Sequence, residues 1–433
     1  MAPYLIVLAV AAGVTFALTP LVRRLVTRVG VIDQPSERKV HRVATPTMGG
    51  LAMWGGFLAA IGVSRFLPAF ESMNVSAAEP IAAIVTCTLM TGVGAIDDWR
   101  GIRALTKLTA QIFSAGVLIL LGVQLAYFVL PGAGTLVLGA DDAVPLTILW
   151  VIAAVNAVNL IDGLDGLAAG MVAIAAGVFF VYMLRGGATS DTATVAAMLS
   201  AITVGICLGF LPWNFHPARI FMGDAGSMLL GMLVAIATIA GVGQDPFPPT
   251  PGDVAVIALP LLVPLLVLGI PFLDVLLAIL RRMRKGLGIA HADKQHIHHQ
   301  LILIGHGHRQ AVLLMYVWSA LLAGSALAIG WVDGRVAVSA ILGCSMVLFL
   351  VTALPRLLDR RRNGSSNGRA SASGAIGAAA DGMPSREVAP GSSVEASSGS
   401  SVETATGSPV EAAPPSDRSP EDGEASAGST AAM

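Results

Sequence analysis

Carboxylates and amides collect where apolar runs of this chain break off. Asn156-Ala-Val-Asn-Leu-Ile-Asp-Gly-Leu-Asp-Gly166 follows the apolar run Val144 to Val155 and precedes another that begins at Leu167. Asn156, Asn159 and Asp162 recur every three residues, so on a helix they drift slowly round one side. Gly163 and Gly166 let the backbone turn, which places Asp165 near the same mouth. A helix cap followed by a turn uses the same residue types. One Asp-Gly would fit that reading, but four polar side chains in ten residues ask for a bound ligand. Asp97-Asp98 is a second such place. Adjacent carboxylates repel and ionise most easily beside a divalent cation or a lysine, and Lys107 follows closely. Magnesium prefers oxygen ligands of this kind together with substrate phosphates. In Phe221-Met-Gly-Asp-Ala-Gly-Ser227, Asp224 stands between glycines, either as a helix cap or where a metal and a phosphate can approach the backbone. Asn214 and Phe221 offer an amide and a ring face suited to a nucleobase.

Two cationic stretches complete the set. Arg38, Lys39, His41 and Arg42 precede Pro-Thr-Met-Gly-Gly50 and suit either lipid headgroups or a phosphate-bearing substrate. Six of the eight histidines lie at 291, 296, 298, 299, 306 and 308. Their spacing matches no standard zinc pattern and no cysteine is near. Beside Lys294, His296, His298 and His299 fit a diphosphate, the alternative being an amphipathic loop on the membrane. Carboxylates for magnesium, cations for phosphates and amides with a ring for a base match phosphoryl transfer, where catalysis is largely positioning and charge neutralisation.

The elements that must hold these groups are membrane helices. Apolar residues make up 55% of the chain and charged residues only 12%, about half the charge of an ordinary soluble protein. About eleven apolar spans are expected, at 4–22, 49–66, 80–96, 108–126, 144–161, 167–184, 193–211, 225–242, 254–279, 310–330 and 335–354. Alternate loops and the flank after the last span carry twenty Lys/Arg, against Arg65, Arg185 and Arg335 on the other side. Basic loops stay cytoplasmic, so the amino terminus faces out, the carboxyl terminus faces in, and every polar cluster sits at the inner face. The first span is expected to be retained. Pro260, Pro264 and Pro271 interrupt the ninth span, which is bent or broken. Cys87, Cys207 and Cys344 lie in apolar segments and read as buried small hydrophobes. The fold class is therefore an all-α polytopic membrane protein. Residues 1–355 form the membrane domain, and 356–433 form a basic flank and a disordered Ser/Ala/Gly/Pro/Glu-rich tail.

Six blocks carry a resemblance: Pro-Thr-Met-Gly-Gly50, Gly94-Ala-Ile-Asp-Asp98, Thr106-Lys107, Asn156 to Gly166, Phe221 to Ser227 and His296-Ile-His-His299. In order and content they resemble the polyprenyl-phosphate N-acetylhexosamine-1-phosphate transferase family. The resemblance implies transfer of a sugar 1-phosphate from a UDP-sugar to a polyprenyl phosphate in the bilayer, with UMP released and magnesium required, manganese being a substitute. It implies that Asp224 holds the metal with Asp98, that Asp97 deprotonates or orients the lipid phosphate, and that Lys107 lies close to the phosphates. Asn156, Asn159, Asp162, Asp165, Asn214 and Phe221 would line the nucleotide-sugar pocket. His296, His298 and His299 would lie near the diphosphate, with Lys39 and His41 on the substrate side. His-Ile-His-His-Gln-Leu and Gly305-His-Gly-His-Arg resemble the WecA-like branch that uses UDP-GlcNAc. Ala-Thr-Pro-Thr-Met-Gly-Gly50 is also close to the branch that makes lipid I from UDP-MurNAc-pentapeptide. The expectation is a plasma-membrane UDP-GlcNAc enzyme opening a cell-wall or surface glycan pathway, with no nucleic-acid partner and a homodimer left open. A membrane transporter binding nucleotide sugars is the alternative of another class; it would place polar residues at mid-membrane and on both faces.

Overall fold

A computed structural model of the protein describes residues 1–35, 43–71, 78–130, 134–185, 191–243, 307–329, 339 and 343–347. Apolar segments that leave water must satisfy their own backbone hydrogen bonds, and helices do so within one segment. In chain order these are α1 (Ala2–Val29), α2 (Gly50–Ser64), α3 (Ala78–Arg100), α4 (Ala104–Leu120), α5 (Ala140–Ile161), α6 (Leu167–Arg185), α7 (Asp191–Asn214), α8 (Gly223–Thr238) and α9 (His308–Ile329). Among the described residues six, α1, α3 and α5 to α8, are long and apolar enough to cross a membrane, and α2 and α4 are shorter apolar helices. The first eight expected spans coincide with α1 to α8, and the tenth with α9. The ninth span and most of the eleventh lie outside the described residues. Met1–Gly368 forms one unit, and Arg369–Met433 a second that falls outside them as well.

The all-α reading missed two small antiparallel sheets. Strand β1 (Ile32–Asp33) pairs with β2 (Thr45–Pro46), and β3 (Tyr127–Leu130) pairs with β4 (Gly134–Val137). The first is too short to give a periodic signal in sequence. It matters for the site, because it closes the ends of the first loop and fixes Pro46 at the start of α2.

The central post is α8. Of its most apolar stretch 89% is buried inside the protein, against 22% for α1. Helices in a bilayer associate by close packing rather than by expelling water, so small residues decide where backbones touch. Gly205 and Gly209 of α7 admit the backbone of Leu8 and Ala12 of α1. Gly50 of α2 and Gly94 of α3 lie against the first turn of α8, where an added Cβ would collide with the Gly226 nitrogen or the Asp224 carbonyl. Buried hydroxyls turn back on their own helices: Thr86, Thr91 and Thr203 each donate to the carbonyl four residues earlier at 2.7 Å. Cys87 and Cys207 are buried as expected. Cys344 is exposed instead.

Candidate active site

The first turn of α8 is where the polar motifs meet. Its own N-cap residue, Met222, supplies no side-chain hydrogen bond, so the orphan N–H groups of the helix start need a partner from elsewhere. Asp98, near the end of α3, provides it. Its Oδ1 accepts the backbone N–H of Asp224 at 2.9 Å and its Oδ2 that of Ala225 at 3.1 Å. Thr47 Oγ1 reaches the same carboxylate at 3.5 Å. Gly223 has φ 69°, and any Cβ there would run into the Asp98 oxygens. Backbone hydrogen bonds finish the join: Phe221 N–H donates to Pro46, while Gly49 and Gly50 donate to Phe221 and Met222, at 2.8–2.9 Å. The Pro-Thr-Met-Gly-Gly50 and Phe221-Met-Gly-Asp224 motifs are thus one structure built from two distant stretches.

Held this way, Asp224 faces Lys107 of α4. The Lys107 ammonium bridges Asp224 Oδ2 and Asp97 Oδ2. Asp97 Oδ1 also accepts the Ile102 N–H at 2.6 Å, which folds the α3–α4 turn back on itself. Asn159 Nδ2 donates to Asp224 Oδ1 at 2.8 Å and lies 2.9 Å from Ser227 Oγ. Neither acid is deeply sealed: the Asp97 side chain is 12% exposed and that of Asp224 is 23% exposed. The two carboxylates converge on the Lys107 ammonium, and as hard-oxygen donors they are of the type that magnesium takes. One helical turn deeper, Asn156 Nδ2 donates to Gln111 Oε1 at 2.7 Å. Gln111 went unnoticed in the sequence, although it lies four residues after Lys107 on the same helical face.

Asp162 sits just past the end of α5. Burial, and then the carboxylates of Asp224, Asp98 and Asp165, push its own carboxyl up to about 8. Asp165 has another occupation: its Oδ2 accepts from His216 Nδ1 at 2.6 Å and from the Ala218 N–H at 3.1 Å. The His216 and His308 rings stack 4.1 Å apart at 21°. Asp165, His216 and His308 bring ligand-type atoms within 4.8 Å of one another. Face-to-face rings cannot both aim a lone pair at a common ion without one turning, so the group is a hydrogen-bonded stack and not a metal centre.

Known proteins match most of this chain. A family model described as glycosyl transferase family 4 matches residues 80–242. A decaprenyl-phosphate N-acetylglucosaminephosphotransferase of Mycobacterium leprae is 41% identical over 361 residues, covering 82% of this chain and 90% of that one. A probable undecaprenyl-phosphate N-acetylglucosaminyl 1-phosphate transferase of Bacillus subtilis is 33% identical over 72% of this chain and 80% of its own. An Escherichia coli undecaprenyl-phosphate alpha-N-acetylglucosaminyl 1-phosphate transferase is 29% identical over 70% and 77%. The chain belongs to the WecA-like polyprenyl-phosphate transferases of glycosyl transferase family 4.

Within this WecA-like protein the structure brings together Asp97, Asp98, Lys107, Asn159 and Asp224, with Asp162 close by. Other expected site residues are placed differently. Each Asp98 oxygen accepts one N–H from the start of α8, so this expected metal ligand also caps a helix. Asn214 is 2% exposed, and its amide accepts from the Gly166 N–H at 3.0 Å and donates to the Ile220 carbonyl at 3.1 Å. Both its ends tie two loops together. Gly166, with φ 78°, makes the expected turn. Lys39, His41, His296, His298 and His299 lie outside the described residues.

Proposed function

We propose that this protein transfers GlcNAc-1-phosphate from UDP-GlcNAc to a polyprenyl phosphate, giving polyprenyl-diphospho-GlcNAc and UMP. The observation that carries the reading is the Asp97–Lys107–Asp224 group, braced by Asn159, in a chain so similar to transferases of that name. A phosphate oxygen of the lipid attacks the sugar-bearing phosphorus of the donor. The bond from that phosphorus to the bridging oxygen breaks, and UMP leaves with the electron pair. Asp97 orients the lipid phosphate and takes its proton where one is present. The Lys107 ammonium neutralises charge on the transferring phosphoryl group. Asp224 and Asp97 would hold magnesium, or manganese in its place, which when bound supplies charge neutralisation at the diphosphate. Asn159 fixes the Asp224 carboxylate, and Asp98 fixes the helix turn that carries it.

Asp162 and the Phe221 segment are assigned to the donor side, with His296, His298 and His299 near the diphosphate and Lys39 and His41 at the loop that meets substrate. Eleven spans, the amino terminus outside and the site at the cytoplasmic face complete the arrangement, supported by the basic bias of the loops around these motifs. The catalytic body is residues 1–355, and the tail is dispensable for chemistry.

The test is membrane-embedded protein with polyprenyl phosphate, magnesium and either UDP-GlcNAc or UDP-MurNAc-pentapeptide, reading UMP and lipid-linked sugar. Product from UDP-GlcNAc alone is expected. Product only from the pentapeptide donor, or no UMP from either, would overturn the assignment.

A further inference from the structure

The loop between α7 and α8 has two anchors, and only one belongs to the chemistry just described. Its far end, Phe221 to Ala225, is fixed by Pro46, Gly49, Gly50 and Asp98. Its near end is fixed from α9. The His308 ring stacks on His216, Arg309 Nε donates to the His216 carbonyl at 2.9 Å, and His216 holds Asp165 at 2.6 Å. Tyr316, further along α9, donates its hydroxyl to the Gly166 carbonyl, and its ring lies against Gly170, where no Cβ would fit. Three contacts from one helix therefore converge on the two loops, 162–166 and 214–222, that flank Asp162 and Asp224. His308 Nε2 is buried without a partner among the described residues, so its ring is there for its face.

We infer that His308 and His216 are positioning residues for the donor nucleotide: their stack, tied through Asp165, sets the near wall of the donor pocket. The inference rests on the proposed function and extends it to residues that touch none of the reacting groups. Two separate anchors give a specific expectation. Loosening the near end moves the donor wall and leaves Asp224, pinned by Asp98 and α2, in place. The effect then falls on the KM for UDP-GlcNAc, while kcat and the KM for the lipid are kept. An aromatic pair of this kind corresponds to a roughly three- to tenfold change.

The experiment is steady-state UMP release by full-length protein in detergent with magnesium, varying UDP-GlcNAc and polyprenyl phosphate in turn. His308→Ala is expected to raise the donor KM roughly three- to tenfold, and His308→Phe, which keeps a ring face, to restore it to within about twofold. His216→Ala, which also frees Asp165, should raise it further. Adding His308→Ala to His216→Ala should then change nothing more, because the stack is already gone. Should His308→Ala fail to insert, His308→Leu, similar in bulk without the ring, reads the same quantity. An unchanged donor KM, an equal loss in His308→Phe, or an equal fall in kcat and in use of both substrates would each overturn the positioning role. Wild-type protein that releases no UMP from UDP-GlcNAc would instead overturn the function on which the role rests.

Discussion

Replacing Asp98 separates two roles that a carboxylate in this motif could have. In the structure it accepts two backbone N–H groups of α8, at 2.9 and 3.1 Å. A hydrogen bond to a charged group contributes about 1.5–3 kcal/mol, and the two share one carboxylate, so Asp98→Ala should cost about 3 kcal/mol at the start of α8. That loss falls on Asp224, the residue after Gly223, and expressed wholly as lost positioning of that carboxylate in the transition state it corresponds to a fall in kcat of about a hundredfold. Asp98→Asn keeps one acceptor but turns an NH₂ toward the other N–H. It should lose about half as much, roughly tenfold in kcat. UMP release measured across a magnesium titration distinguishes this from direct metal binding. A capping residue lowers the plateau and leaves the magnesium midpoint where it was. If Asp98→Asn shifts the midpoint upward and recovers wild-type turnover at high magnesium, Asp98 is a ligand and the capping argument is refuted.

Asp97→Asn and Asp224→Asn should each reduce UMP release by at least about a thousandfold while the protein still inserts, since both remove charge beside the transferring phosphoryl group; activity retained in both would sink the assignment. Gly94→Ala places a Cβ against the Asp224 carbonyl and should lower the thermal midpoint in detergent through overpacking of about 1–3 kcal/mol; an unchanged midpoint would mean that α3 and α8 are not in register as described. The folded protein holds the Asp162 proton up to about pH 8, whereas an ordinary aspartate releases it near 3.8, so this group costs stability increasingly as pH rises through that window. Asp162→Asn should therefore raise the midpoint of metal-free protein at pH 8 and leave it unchanged at pH 4, and an equal shift at both pH values would contradict the raised pKa. Truncation after Arg362 should leave turnover intact, and a dead truncation would give the tail a part in catalysis.

What the sequence could reveal depended on whether a residue's reason for being there was local. Apolar segments near twenty residues long marked most of the helices, because span length is set by the bilayer and needs no tertiary information. Asp97, Lys107, Asn159 and Asp224 stood out for a similar reason: polar side chains at the ends of such segments are costly enough to need an explanation. The roles of Asp98 and Asn214 were not legible. An aspartate that caps a helix more than a hundred residues away has the same neighbours in sequence as one that binds a metal. An asparagine whose amide is spent on Gly166 and Ile220 looks like one that faces a base. Gln111 and Tyr316 left almost no trace. Gln111 is a single amide in an apolar helix, and Tyr316 acts through one hydroxyl and one ring against Gly166 and Gly170.

The motif glycines show how those two kinds of information meet. Gly50, Gly94, Gly223 and Gly226 lie in three separate blocks of the chain, and each block alone reads as the start or the end of a helix. Together they mark where three helices come so near that a Cβ on Gly50, Gly94 or Gly223 would collide with the backbone or with Asp98. That closeness lets an α3 carboxylate reach the N–H groups of α8, and it brings Asp97 and Asp224 onto one lysine. Four acids, Asp97, Asp98, Asp162 and Asp224, then share a site in which Lys107 bridges two of them. Like charges so close are tolerated only with compensation. Asp98 finds it in the N–H groups at the positive end of a helix, Asp97 and Asp224 in the ammonium, and Asp162 by keeping its proton. Substrates that carry phosphates add negative charge to a group already balanced in this way, and that is the physical reason for a divalent cation at Asp224 in the proposed reaction.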